Sequence, residues 1–128
     1  MSLLPPPPAP VTAKHIARAM EWAWTLKRDG KPLSDEGAAA INWVAVYLQT
    51  TYPLQAKAVL ERSFAIRAHL KTEEYLREFG VASSTHHRNW AKGCKRIAER
   101  INEAQRRGDY DKLGNFDAHV LLTVRTRA

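Results

Sequence analysis

Between Ser83 and Arg100 the chain carries nine side chains suited to gripping a phosphate or a base edge: Ser83, Ser84, Thr85, His87, Arg88, Lys92, Lys95, Arg96 and Arg100. Hydroxyls and free backbone N–H groups at the start of a helix bind phosphate oxygens. The planar fork of Arg88 is the best candidate for a base edge, because it bonds guanine at two points. Lys92, Lys95, Arg96 and Arg100 read as phosphate anchors. The chemistry implied is recognition of double-stranded DNA, with no bond made or broken.

Other chemistry fits the sequence less well. His86 and His87 are adjacent, so on a helix they point about 100° apart and do not chelate one metal as a pair. Cys94 is the single cysteine, which excludes an intramolecular disulfide and a cysteine-built zinc site. Its expected place on an inner helix stripe makes it a small core residue before a thiol nucleophile. Glu73, Glu74 and Glu78 read as the solvated face of a short helix, not as a catalytic carboxylate pair. No glycine-rich phosphate loop is present. The expectation is a chain that is not an enzyme and holds no metal or cofactor.

The candidate residues need a helix to carry them, and the stretch TEEYLREFGVASSTHHRNWAKGCKRIAERIN (72–102) supplies one. It reads as a short helix over 72–79, a turn at Gly80, and a longer basic helix continuing to about Arg106. Leu76, Phe79 and Val81 are expected on the inner side. Glycine accepts the left-handed backbone that the first helix needs to end, and Ser83 is placed to cap the second. With that helix starting at Ser84, His86, Trp90, Gly93 or Cys94, Ile97 and Ile101 form a core stripe. Ser84, Arg88, Lys92, Lys95 and Glu99 form the opposite one. Trp90 separates two readings: buried, it supports a helix-turn-helix; exposed, it favours stacking on unpaired bases.

Upstream, three further helices are legible. Thr12 caps the first, 13–28, with Ala13, Ile16, Ala17, Met20, Ala23 and Trp24 facing inward. Ser34 caps the second, which runs to about Thr51, is apolar around much of its girth, and stops at Tyr52–Pro53. The third spans about 54–70. There Leu54, Ala58, Leu60, Phe64, Ala65 and Leu70 are expected to pack inward, and Lys57, Glu61, Arg62 and Arg67 to face out. Residues 1–10 hold five of the seven prolines and read as an extended arm. Within the tail, His119 to Arg125 reads as either a strand or a short helix with an apolar surface for a second copy of the chain.

The length of 128 residues suits one domain, and a 45% hydrophobic fraction is enough for a core. Net charge is +7, and its position matters more than its size. Residues 81–108 hold seven basic and two acidic side chains, a net +5, and leave the other segments near neutral. A basic stripe of this kind is the footprint of phosphate contacts. No run of about 20 apolar residues exists to span a membrane. With no apolar leader after a basic start, the expected location is the cytoplasm of a bacterial or infected host cell.

The pattern Leu76-x-x-Phe79-Gly80-Val81-x-Ser83-x-Thr85-x-x-Arg88 resembles the helix-turn-helix of sigma-factor region 4, with Gly80, Val81, Thr85 and Arg88 carrying the likeness. His86 departs from that pattern, where an aliphatic residue usually sits. It implies either a shallower second helix or a hydrogen-bonded histidine inside. A weaker likeness of layout, from Asp35 to Ile101, is to small phage regulators of late transcription: the late-gene antitermination proteins of lambda-like phages and sigma-like late activators. This resemblance implies binding near a promoter together with RNA polymerase.

The fold expected is an all-α, compact domain of about five helices containing a helix-turn-helix. Residues 1–11 form the proline-rich arm, 12–108 the helical domain, and 109–128 a tail for dimerisation or a partner. The function expected is a sequence-specific DNA-binding transcription regulator of phage or prophage type. Two alternatives stand beside it. One is a small-terminase-like DNA-packaging subunit, which needs a ring-forming oligomer for which no long heptad is visible. The other is a module that binds RNA polymerase without DNA.

Overall fold

The computed structural model describes residues 10–106. The expectations for most of the proline-rich arm, for closure of the last helix at Gly108 and for the tail 109–128 lie outside the described residues. Within them the chain is all-α. It comprises α1 (Ala13–Arg28), α2 (Asp35–Trp43) running on into a π-helical turn (Val44–Leu48), α3 (Pro53–Arg67), α4 (Thr72–Glu78) and α5 (Ser83–Arg106). α5 packs most extensively against α3 and α1, and α2 and the π turn close the bundle around them.

Local chemistry sets the helix starts. Thr12 Oγ1 accepts from the His15 N–H at 3.4 Å, and His15 Nδ1 accepts from the Thr12 N–H at 3.1 Å. This is a capping box with an imidazole where a carboxylate usually stands. Ser34 Oγ accepts from the Gly37 N–H at 3.2 Å and opens α2. Pro53 holds Tyr52 outside the helical region (φ −130°, ψ 67°) and is itself the first residue of α3, a position where its missing N–H costs nothing. The second helix therefore ends earlier than expected, and in a π turn: the Gln49 N–H donates to the Val44 carbonyl, five residues back, at 2.9 Å. Val44 and Leu48 are both buried by it.

Helix ends follow one device. Gly30, His69 and Gly80 all have positive φ, at 69°, 57° and 67°. At each the next residue donates five residues back, as in the Val81 N–H to Leu76 O bond of 2.9 Å after α4. Gly80 does what the sequence requires of it. His69 does the same with a side chain, in backbone that disfavours one.

The core joins Ile16, Met20 and Trp24 of α1 to Trp43, Val44 and Leu48, to Val59 of α3, and to Ile97 and Ile101 of α5. Burying each isoleucine contributes about 1.5–3 kcal/mol. α3 and α5 approach closely at Gly93, where an added Cβ would lie 3.0 Å from a Val59 methyl. Val11 belongs to this core and not to the arm. It is buried, its N–H donates to Asn102 Oδ1 at 2.8 Å, and its carbonyl accepts from Asn102 Nδ2 at 2.9 Å.

The orientation of α3 corrects the sequence reading. Leu54 is 64% exposed and Phe64 42%, whereas Glu61 is buried at 7%. Of the residues expected inward Ala58 and Ala65 are buried, and Ala56, Val59 and Ser63 complete the inner surface. Small residues serve because α3 is packed against α1, α4, α5 and the π turn at once. Phe79 is likewise outside, 61% exposed and paired with Tyr75 at 4.6 Å between centroids, while Leu76 is the buried residue of α4.

The strain at His69 is testable. His69→Gly is expected to stabilise the domain by about 0.5–1 kcal/mol, read from the midpoint of urea unfolding. Unchanged or lowered stability would mean that the imidazole contributes more than its backbone costs.

Candidate nucleic-acid interface

α4, the turn at Gly80 and α5 present the expected division of faces. His86, Gly93, Cys94, Ile97, Ala98 and Ile101 are buried, and Trp90 is half-buried against the core. Ser84, Thr85, Arg88, Lys92, Lys95 and Glu99 are exposed. Arg88, Lys92 and Lys95 form no ion pair among the described residues. Two anchors are partly occupied. The Arg96 guanidinium lies 4.6 Å from the Tyr52 ring centroid and 3.8 Å from Glu99, and Arg100 lies 4.0 Å from Glu103. Exposed pairs at three-residue spacing are weak and leave both cations able to exchange partners.

Ser83 does not act as a capping acceptor. Its hydroxyl donates to both oxygens of the Glu73 carboxylate, at 3.0 and 3.1 Å. The helix starts one residue earlier than expected, and the His86 N–H is met by the Ala82 carbonyl at 3.0 Å. His87 is also engaged: Nε2 lies 2.6 Å from Glu73 Oε1, and Nδ1 lies 2.9 Å from Arg62 Nη2. Of the nine candidate residues, Ser84, Thr85, Arg88, Lys92 and Lys95 face solvent freely, Arg96 and Arg100 do so beside carboxylates, and Ser83 and His87 are tied into the fold.

His86 is the hydrogen-bonded interior histidine, one of the two outcomes its departure from the family pattern implies. It is 1% exposed. Arg62 Nε donates to its Nε2 at 3.2 Å, so that nitrogen carries a lone pair and the proton resides on Nδ1, which donates to Glu61 Oε1 at 3.1 Å. The ring is therefore neutral. Burial is the main reason its pKa lies below the ordinary 6.5; Arg62 adds to the lowering and the Glu61 hydrogen bond opposes it. Arg62 in turn stacks on Trp90, its guanidinium carbon 3.7 Å from the ring centroid. Such a stack is worth about 1–2 kcal/mol when partly desolvated.

Sequence reasoning missed Glu61 and Arg62 as parts of this site. Helical spacing assigned them outward, with the apolar residues of α3 inward. The signal was His86 itself: a buried imidazole demands one acceptor and one donor, and α3 offers an adjacent Glu-Arg pair. Glu73 was read as solvated face. It is exposed, but its carboxyl lies below the ordinary 4.5 because His87, then Ser83, bond it.

Cys94 is buried, and burial pushes its pKa up to about 12, so no thiolate is available. No cluster of three or more histidine, cysteine, aspartate or glutamate side chains suited to a metal occurs among the described residues. No helix there is long and apolar enough to cross a membrane. No family of known proteins matches the chain, and neither does any curated protein or solved structure.

Three outcomes follow. Glu61→Ala is expected to lower stability by about 1–3 kcal/mol by orphaning the Nδ1–H, and Glu61→Gln by less, because an amide oxygen still accepts it. Native Cys94 is expected to resist a thiol reagent at neutral pH and to react once urea unfolds the domain. The His86 pKa, lower folded than unfolded, means that the unfolded chain binds more protons, so stability from this ring is complete above 6.5 and lost as pH falls through the depressed value. Unfolding midpoints across pH check this, and a flat profile through that range would contradict the neutral ring.

Proposed function

We propose that the chain is a sequence-specific transcription regulator that lays the N-terminal half of α5 in the major groove of duplex DNA. One observation carries the proposal: Ser84, Arg88, Lys92 and Lys95 stand exposed along the side of α5 opposite its buried stripe, directly after a short helix and a left-handed turn at Gly80. At 1.5 Å per residue Arg88 lies about 6 Å along the helix from Ser84, and Lys92 and Lys95 about 12 and 17 Å. The major groove is about 12 Å wide, so Arg88 reaches base edges and the two lysines meet the phosphates at its rim. Glu99, about 22 Å along, falls beyond the DNA, where an acidic residue does no harm.

The likeness to sigma region 4 and to late phage regulators adds a promoter as the site of action and RNA polymerase as partner. A second reading, a module that binds polymerase without DNA, draws on the Tyr75–Phe79 ring pair beside the turn, in which Phe79 is exposed. Aromatic side chains of this kind anchor protein interfaces.

Alanine at Arg88 is expected to cost about 1–3 kcal/mol of affinity for the preferred duplex and to relax its sequence preference. Alanine at Lys92 is expected to weaken all duplexes alike and to reduce the salt slope by about one. Fluorescence anisotropy on a duplex selected from random sequence measures both. If the double variant Arg88→Ala, Lys92→Ala binds duplex as wild type does, yet loses polymerase, the second reading replaces the first.

A further inference from the structure

The side chains Glu61, His86, Arg62, His87 and Glu73 form one unbroken chain of hydrogen bonds across three helices. Glu61 and Arg62 come from α3, Glu73 from α4, and both histidines from the first turns of α5. Proton positions in it are determined by Arg62, which only donates. His86 must present a lone pair at Nε2 to Arg62 Nε, and His87 a lone pair at Nδ1 to Arg62 Nη2. Their protons then point outward along the chain, from His86 Nδ1 to Glu61 and from His87 Nε2 to Glu73. Each histidine is neutral, in opposite tautomers, and a second proton on either ring has no place except against an N–H of Arg62.

We propose that Arg62 is the positioning residue for the DNA-reading end of α5, and that it holds that end only while His86 and His87 are both neutral. This rests on the duplex-binding reading above. Arg62 touches no DNA in that reading and acts through its two neighbours. One guanidinium spans both rings, and stacking on Trp90 prevents it from following one ring alone. Glu73 receives His87 and Ser83 together, so the same chain binds α4 to the first turn of α5. Protonation of His87, the more accessible ring, or of His86 expels the guanidinium and frees the turn that carries Ser84, Thr85 and Arg88.

For His86 burial, then the Arg62 cation, favours the neutral ring, and Glu61 opposes them. From α3 the histidines face Glu61 and the Arg62 cation; from α4 they face Glu73, with Tyr75 behind Glu61. Within α5 Arg88 follows His87 directly and the neutral Cys94 thiol lies within reach of Arg62, as does Glu21 from α1. Tyr75 is held above its ordinary value by burial, then by Glu61, and is also uncharged.

The expected direction opposes simple electrostatics. Added positive charge on two histidines beside a DNA-binding face should strengthen phosphate binding, whereas release of the reading end weakens it. The test is amide hydrogen exchange, corrected for intrinsic rates, at about pH 7.5 and about pH 5.5, on either side of the ordinary histidine range. In wild type, protection over residues 83–90 should fall at least about tenfold in acid while Ile97 and Ile101 keep theirs. Arg62→Lys, which keeps the charge and loses the fork, should show the lowered protection at both pH values. Exchange over 83–90 indifferent to pH in wild type overturns the proposal, whether or not the variant folds. So does a loss that extends equally to Ile97 and Ile101. Duplex affinity is measured under the same two conditions. Expected exchange with no duplex affinity at either pH leaves the latch standing and removes the DNA reading; duplex affinity that rises in acid with unchanged exchange does the reverse.

Discussion

A polar ring sits under packed helices only when both of its nitrogens are bonded, and His86 imposes that demand at the start of α5. Much of the arrangement follows from it. Glu61 and Arg62 must turn inward to serve the ring. They are consecutive on α3, so the helix is rotated until Leu54 and Phe64 face solvent. The surface that α3 then offers its neighbours is built from alanines, a serine and Val59, and helices packed through such small residues come close, as they do at Gly93. Placing two large apolar side chains outside loses a few kcal/mol of burial. An unpaired buried imidazole and glutamate would cost a comparable amount and would leave α5 without a defined rotation about its axis.

The elements were legible because their boundaries are written in single residues. Thr12, Ser34 and Gly80 each perform the cap or exit expected of them. The two stripes of α5 were legible because apolar and charged residues alternate there at a clean helical period. α3 was not, because its apolar residues lie all around it, and the choice of inner face was made by a partner 24 residues later in the chain. The π turn was hidden by an unbroken apolar run in which one added residue per turn changes no pattern. The candidate interface was legible as a face and not as a network. Spacing identified Ser84, Arg88, Lys92 and Lys95, but the engagement of His87 and Ser83 by Glu73 depends on how α4 lies across the turn.

Charge is sorted by depth. Among the described residues the half-buried cation Arg62 is bracketed by two neutral rings and the face of Trp90. The outer face of α5 carries its cations without partners near the turn and with glutamates farther along. Positive potential is thus concentrated toward one end of the helix, and the acidic residues that would dilute it are displaced toward the other.

Val11 is pinned to Asn102 by two hydrogen bonds, and α5 runs on to Arg106. Both ends of the described chain therefore emerge at the same pole of the bundle, 18 residues or about 27 Å along α5 from Ser84. The two points at which the described residues end are thus fastened to each other, and the residues proposed to read DNA stand toward the far end of the same helix.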